Sequence, residues 1–228
     1  MISWISSHPL LSLLIGAAAV TFVWLFIKRS RLSIKWYMAA LLAVLNVAFG
    51  VLCVKLFAVV EAGFDFSKFS GQSLFGSVFL LPLFYMLGAK LFKRRFADVF
   101  DCFTVPTVFT LFCARISCII TGCCLGAEIP GTDCRFPTRE AELIFYAVLL
   151  SFLIPMVLRD RRRGEAFPIF MLAYGAFRFV CEFFRESSAF SGPFHLSHLW
   201  AVISLILGLS ILIQIKQKAN KSRNIKAK

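Results

Sequence analysis

Lys28–Val60 reads KRSRLSIKWYMAALLAVLNVAFGVLCVKLFAVV. Its first eight residues hold Lys28, Arg29, Arg31 and Lys35, and the 25 that follow hold one charge, Lys55. A bilayer core about 30 Å thick is crossed by roughly 20 helical residues rising about 1.5 Å each. The apolar run is long enough to cross. The basic block in front of it is of the kind retained at the cytoplasmic face. The stretch therefore reads as a membrane span that starts inside.

Working outward, the same pattern fills the chain. Of 228 residues, 59% are hydrophobic and only 16% charged, and the mean hydropathy is +0.81. A soluble domain has about 45–50% apolar and about 25% charged residues. This composition excludes a disordered chain and argues against an ordinary soluble enzyme. The net charge of +13 by itself suggests a polyanion partner. The basic residues, however, sit between apolar runs, so no nucleic acid is expected.

Seven stretches are candidate spans, near Leu10–Ile27, Trp36–Val60, Gln72–Phe92, Asp98–Cys124, Glu142–Leu158, Ala166–Phe184 and Leu196–Ile215. The third contains Pro82. The fourth contains Asp101, Pro106 and Arg115 and is expected to be bent or broken. Basic loops alternate with basic-poor ones. Lys28, Arg29, Arg31 and Lys35 are followed by a loop with Lys68 alone, then by Lys90, Lys93, Arg94 and Arg95. Arg135 and Arg139 come next, offset by Glu128, Asp133 and Glu140, then Arg159, Arg161, Arg162 and Arg163. Arg185 beside Glu186 precedes the tail, which carries Lys216, Lys218, Lys221, Arg223, Lys226 and Lys228. Four clusters thus hold 18 of the 25 Lys and Arg residues. The expected fold is an all-α integral membrane protein of about seven helices, N-terminus outside and C-terminus cytoplasmic. It forms a single polytopic domain over 1–228, with 216–228 as a basic, frayed cytoplasmic tail. Met1–Leu10 has no Lys or Arg, so the first span is expected to be retained rather than cleaved as a signal.

This topology brings polar residues of four segments to one depth, near the outer leaflet. They are Arg115, Cys118, Cys123 and Cys124 late in span four, and Tyr174, Arg178, Glu182 and Arg185 late in span six. Gln72 and Ser73 open span three, and Glu140 and Glu142 open span five. Arg178 and Glu182 are four apart and share a helix face. Charges at membrane depth are costly and face a protein interior or a wet cavity. One reading is a structural ion pair. The other is a site for a phospholipid headgroup, since guanidinium groups present forked donors to phosphate oxygens.

Six of the eight cysteines fall between 102 and 134. Buried small hydrophobes account for Cys53, Cys102 and Cys181. Cys118, Cys123, Cys124 and Cys134 form a denser outer group, in which an oxidising outer compartment allows a disulfide from Cys134 to Cys123 or Cys124, with connectivity left open. There is no C-x-x-C pair, and His8, His195 and His198 lack zinc-ligand spacing, so a metal site is only weakly signalled and none is assigned. No cofactor fingerprint or hydrolase elbow occurs either. Gly122 and Gly126 fit either an irregular turn or a helix-packing seam.

At these residues the chain resembles the prolipoprotein diacylglyceryl transferase family. Tyr174-Gly-Ala-Phe-Arg178-Phe-Val-Cys-Glu182-Phe-Phe-Arg185 looks like the family's span-six signature. Ala114-Arg115-Ile-Ser-Cys118-Ile-Ile-Thr-Gly122-Cys123-Cys124-Leu-Gly126 sits where the family has G-R-x-G-N-F-x-N-G-E-x-x-G, after a matching Asp101 and Pro106. Pro137-Thr138-Arg139-Glu140-Ala141-Glu142 looks like P-[ST]-Q-L-Y-E. Leu196-Ser197 opens a final span like the family's I-S-x-G-Q. The resemblance runs from about Gly71 to Leu212. It implies a bacterial cytoplasmic-membrane enzyme that moves the diacylglyceryl group of phosphatidylglycerol to the thiol of a lipobox cysteine. A thioether forms and glycerol phosphate leaves. It further implies catalytic roles for Arg178, Arg115, Glu182 and Tyr174, and substrate contacts from Arg115, Arg178, Glu142, Arg139, Gly126 and Arg185.

The chain departs from the family at defined places. The H-G-G motif, with its catalytically implicated His, aligns with Phe75-Gly76-Ser77, and phenylalanine accepts no proton. The signature Asn is Cys118 and the signature Glu is Cys123. The Gln and Tyr of P-x-Q-L-Y-E are Arg139 and Ala141. Two other functions therefore stand beside transfer: acyl or redox chemistry at Cys118, Cys123 or Cys124, and non-catalytic lipid binding or transport. A polar side chain beside Phe75, such as Arg139 or Gln72, favours the family's reaction. An apolar plug there counts against it.

Overall fold

The computed structural model describes residues 9–129, 131–132, 134–160, 162–185 and 195–226, and their side chains except at 68, 70 and 222–226. Of the residues named above, His8, Asp133, Arg161, Glu186 and Lys228 lie outside the described residues, as do the side chains of Lys68, Arg223 and Lys226.

The chain is an all-α bundle of antiparallel helices: α1 Pro9–Ile27, α2 Arg29–Leu32, α3 Trp36–Glu61, α4 Gly76–Phe79, α5 Leu81–Leu91, α6 Phe96–Thr121, α7 Thr138–Leu158, α8 Ala166–Cys181 and α9 Leu196–Lys226. Short 3₁₀ turns cover Phe66–Ser70 and Glu182–Phe184. Among the described residues, six helices are long and apolar enough to cross a membrane. Their outward faces are apolar: Leu41, Val44, Val148 and Ile206 are all more than half exposed. Such a surface is a liability in water and a match for lipid. The core runs along the bundle axis through Leu25, Phe57, Val108, Leu153 and Phe170.

The third span differs from expectation. It is broken at Leu80, and its helical part covers only 76–91. Those residues reach about 24 Å at 1.5 Å each, short of the bilayer core. Pro82 lacks an N–H and crowds the carbonyl four residues earlier, so a new helix starts beside it. The segment before the break is held by protein backbone, with Ser73 N–H donating to the Val54 carbonyl at 3.0 Å. A side chain at Gly76 would collide with the Cys53 carbonyl, so this close approach requires glycine.

The fourth span, expected to be bent or broken, is one unbroken helix with Pro106 inside it. Pro106 leaves the Cys102 carbonyl without its helical donor, and the Trp24 indole N–H of α1 donates to that oxygen at 2.8 Å. Thr104, Thr107 and Thr110 return hydroxyl bonds to the carbonyls four residues earlier. The helix survives because the Trp24 indole re-satisfies the freed carbonyl, while the threonine hydroxyls find acceptors within the helix.

The last helix runs on to Lys226, past the expected frayed boundary at Ile215. Lys216, Gln217, Lys218 and Ala219 are good helix formers, so the helix outlasts its apolar stretch. It packs closely on α8, where a side chain at Gly175 would press on the Ala201 carbonyl.

One end of the bundle carries the basic loops. Arg31 pairs with Asp98 at 2.8 Å, Asp101 at 2.7 Å and Asp160 at 2.7 Å. Burial disfavours the Arg31 charge, but its hydrogen bonds to the carboxylates of Asp98 and Asp101 outweigh it and hold the guanidinium above its ordinary pKa. Asp101 also accepts the Gly164 N–H at 2.7 Å and the Ala166 N–H at 3.1 Å, which caps the start of α8. The polar residues singled out from the sequence collect at the opposite end.

Candidate active site

Glu142, in the second turn of α7, lies at the centre of this opposite end. Its Oε2 pairs with Arg115 Nε of α6, and its Oε1 accepts from Arg178 Nη1 of α8 at 3.0 Å. Arg178 Nη2 reaches Glu182 at 2.9 Å, the four-residue pair expected from spacing. These charges are almost wholly shielded: Arg115 is 4% exposed, Glu142 3%, Arg178 8% and Glu182 2%. Buried charges of this kind persist only when paired and hydrogen-bonded.

Arg185 completes the cluster at 3.9 Å from Glu142. It is placed there by backbone pairing. The segment after α6 folds back as a short hairpin, in which Glu128 bridges Arg135 and Gly126 bridges Arg185. Ala127 N–H donates to the Phe184 carbonyl at 2.9 Å and Phe136 N–H to the Ala127 carbonyl at 3.0 Å. A Cβ at Gly126 would strike the Phe136 carbonyl, and Gly122 ends α6 with φ +69°. Both glycines thus serve an irregular turn rather than a helix seam.

Tyr174, one turn before Arg178, is buried and meets Phe75 edge-on with ring centroids 5.4 Å apart. Phe75 is 1% exposed and packs with Phe57 and Phe79, while the Arg178 guanidinium lies 5.9 Å above its ring. Gln72 is exposed, and Arg139 lies elsewhere, bonding the Cys123 carbonyl at 3.4 Å and Glu140 at 3.7 Å. The place expected to decide the chemistry is therefore an aromatic plug roofed by a guanidinium. Two buried polar atoms at the site, Tyr174 Oη and Arg178 Nε, have no hydrogen-bond partner among the described residues.

All eight cysteines are free thiols, and Cys134 is not bonded to Cys123 or Cys124. Its backbone pairs with Ile129 at the far end of the hairpin, away from the turn that follows α6. At that turn the sulfurs of Cys118, Cys123 and Cys124 lie within 4.8 Å of one another. Arg115 Nη1 points at Cys118 Sγ from 3.9 Å, so one guanidinium touches both the thiols and Glu142.

Sequence reasoning passed over Glu61 and undervalued His195. Glu61 ends α3 near Ser73 and lies in the field of Arg178, Glu182 and Arg185. An acid closing an apolar run was its only signal. His195 Nδ1 lies 3.7 Å from Glu182. Beside the site, an apolar groove between α1, α3, α4 and α6 is lined by Leu14, Val51, Val54, Leu74, Leu111 and Ala114.

Comparison with known proteins places the chain in a family. The sequence model of the family described as prolipoprotein diacylglyceryl transferase matches residues 9–214. A phosphatidylglycerol--prolipoprotein diacylglyceryl transferase of Pasteurella multocida is 29% identical over 172 residues, covering 68% of this chain and 63% of that protein. One of Dehalococcoides mccartyi is 22% identical over 231 residues, covering 91% of this chain and 88% of that protein. One of Lactococcus lactis subsp. lactis is 36% identical over 90 residues, covering 38% of this chain and 34% of that protein. The chain thus spans just under two thirds of the Pasteurella protein's length and most of the Dehalococcoides protein's. With its apolar helices, this is a multi-pass protein of the bacterial cytoplasmic membrane. The match over most of its length shows that the chain belongs to the prolipoprotein diacylglyceryl transferase family.

Proposed function

We propose that the chain moves the diacylglyceryl group of phosphatidylglycerol to a cysteine thiol of a prolipoprotein at the outer leaflet. One observation carries this reading: Arg115 and Arg178, from separate helices, are held side by side on the single buried carboxylate of Glu142. Two fixed guanidinium groups suit one phosphate. In the reaction the acceptor thiol gives its proton to solvent and its sulfur bonds to the glycerol carbon. The bond from that carbon to the phosphate oxygen breaks, and its electron pair leaves on glycerol phosphate. The leaving group is already an anion, so fixed positive charge stabilises it without proton transfer. Arg115 and Arg178 take that role, Glu182 orients Arg178, and Arg185 and Arg139 flank the headgroup. The unpartnered Tyr174 Oη and Arg178 Nε support the reading, since a buried polar atom left unpaired costs about 1–3 kcal/mol. A phosphate oxygen between them relieves that cost. Gly126 lets the hairpin close over the headgroup, and the apolar groove beside Ala114 takes an acyl chain.

The test is transfer of labelled diacylglyceryl from phosphatidylglycerol to a lipobox peptide by the purified chain. Transfer that is lost in Arg178→Ala supports the proposal. No transfer, with a competent homologue active in parallel, overturns it. A second reading, lipid binding without turnover, is favoured by Phe75 itself, whose side chain accepts no proton and packs with Phe57 and Phe79. It predicts phospholipid that co-purifies with the chain, is lost in Arg178→Ala, and is never consumed.

A further inference from the structure

The three thiols at the end of α6 are brought together by the fold. Cys118 sits in the last turn of α6. Gly122 then takes a left-handed conformation, and so does Cys124 at φ +57°, turning the chain back on the helix end. Cys123 N–H donates to the Cys118 carbonyl at 3.2 Å, and the three sulfurs gather within 4.8 Å. Cys123 is exposed, so the group is not explained as buried apolar filling. Spacing alone carried only a weak metal signal, because there is no C-x-x-C pair, but proximity carries a stronger one.

We propose that Cys118, Cys123 and Cys124 bind zinc as a three-thiolate site whose open fourth position takes the acceptor cysteine. Zinc–sulfur bonds of about 2.3 Å at tetrahedral angles put sulfurs roughly 3.8 Å apart. The observed spacing reaches this by small side-chain rotations. A sulfur-only ligand set selects a soft or borderline ion over magnesium or calcium. Three protein ligands with one position open are the pattern of catalytic zinc, not of closed structural sites. Zinc with three thiolates carries one net negative charge. Arg115, 3.9 Å from Cys118 Sγ, therefore faces an anion and donates to a ligating sulfur.

The site answers a chemical need. The acceptor thiol must lose its proton, and Phe75 offers no acceptor for it. A thiol that coordinates zinc is deprotonated outright. The acceptor S–H gives its proton to solvent on binding. The zinc-held sulfur then bonds to the glycerol carbon as the carbon–oxygen bond breaks, and the electron pair leaves on glycerol phosphate. The product thioether is neutral, binds zinc weakly and departs. The open position's role rests on the transferase reading; zinc binding itself does not.

The experiment uses the reduced, full-length chain in detergent, titrated with cobalt(II) as a spectroscopic stand-in. The expected result is one ion per chain with sulfur-to-cobalt charge-transfer bands, displaced by zinc. Cys118→Ser, Cys123→Ser and Cys124→Ser each abolish the bands, while Cys134→Ser keeps them. A lipobox peptide shifts the bands, and its Cys→Ser form does not. Chelation slows transfer at least about tenfold, and zinc restores it. Absence of bands with the three thiols free, or a disulfide among them in protein isolated without reductant, overturns the site. Full transfer by metal-free protein overturns the activation step. Cobalt bands without any transfer overturn the transferase reading and leave the metal site standing.

Discussion

Glu142 holds two guanidinium groups that come from different helices, and this makes it the residue on which the site depends. Removing its charge leaves two buried cations facing each other. Glu142→Gln is expected to destabilise the fold by about 3–5 kcal/mol, the cost of breaking a buried ion pair from one side. Unfolding midpoints in detergent read this directly. Replacing the four buried charges, Arg115→Met, Glu142→Met, Arg178→Met and Glu182→Met together, is expected to leave stability near wild type, because desolvated charges yield little net stability over apolar packing. That variant should transfer nothing. A stable, inactive quadruple variant beside an unstable single one separates function from architecture. Arg178→Lys keeps the charge but loses the fork, and transfer should fall by about 100-fold or more if the planar donors are what hold phosphate. The Arg178–Glu182 pair was legible in the sequence because a helix fixes its geometry locally. Glu142 was legible only as a polar opening to span five. Its partners are 27 and 36 residues away, and no local rule joins them. Glu61 was less legible still, since it closes a long apolar run with no partner in view.

At the scale of elements, α6 shows how an interior proline is carried inside a membrane bundle. The helix was expected to bend or break at Pro106, and it stays whole because Trp24 supplies the missing donor from α1. That donor is 78 residues distant, which is why sequence periodicity did not reveal it. Trp24→Phe leaves the Cys102 carbonyl buried and unpaired, at an expected cost of about 1–3 kcal/mol. In a Pro106→Ala background the restored backbone N–H takes over, so the same substitution costs less. A coupling energy of at least about 0.5 kcal/mol in this double-mutant cycle is expected from thermal unfolding. Additive effects would show that the indole bond does not replace the helical one. The third span makes the opposite case. Pro82 starts a new helix there because Gly76 has already drawn the preceding segment onto the α3 backbone.

Across the whole molecule, the alternation of charged loops predicts two unlike ends, and the structure has them. Arg31, Asp98, Asp101 and Asp160 tie α2, α6 and the α7–α8 turn together at the basic end. Asp101→Asn keeps the cap geometry on α8 in part but removes the charge facing Arg31. It should lower stability while leaving the lipid affinity of the opposite end unchanged. The sidedness itself is open to a direct test. If the basic loops face the cytoplasm, Cys134 faces outward on the hairpin, exposed and free. A membrane-impermeant maleimide added to intact cells should then label wild type and lose most of that signal only when both exposed thiols, Cys123 and Cys134, are replaced by Ser. A fluorescent protein fused after the basic tail should mature in the cytoplasm of the same cells. Labelling only after lysis would invert the topology. It would also remove the outer leaflet as the source of lipid, because the arginine cluster and Cys134 share one end of the bundle. The charge excess would then have misled at the largest scale while the local geometry of Glu142 stood unchanged.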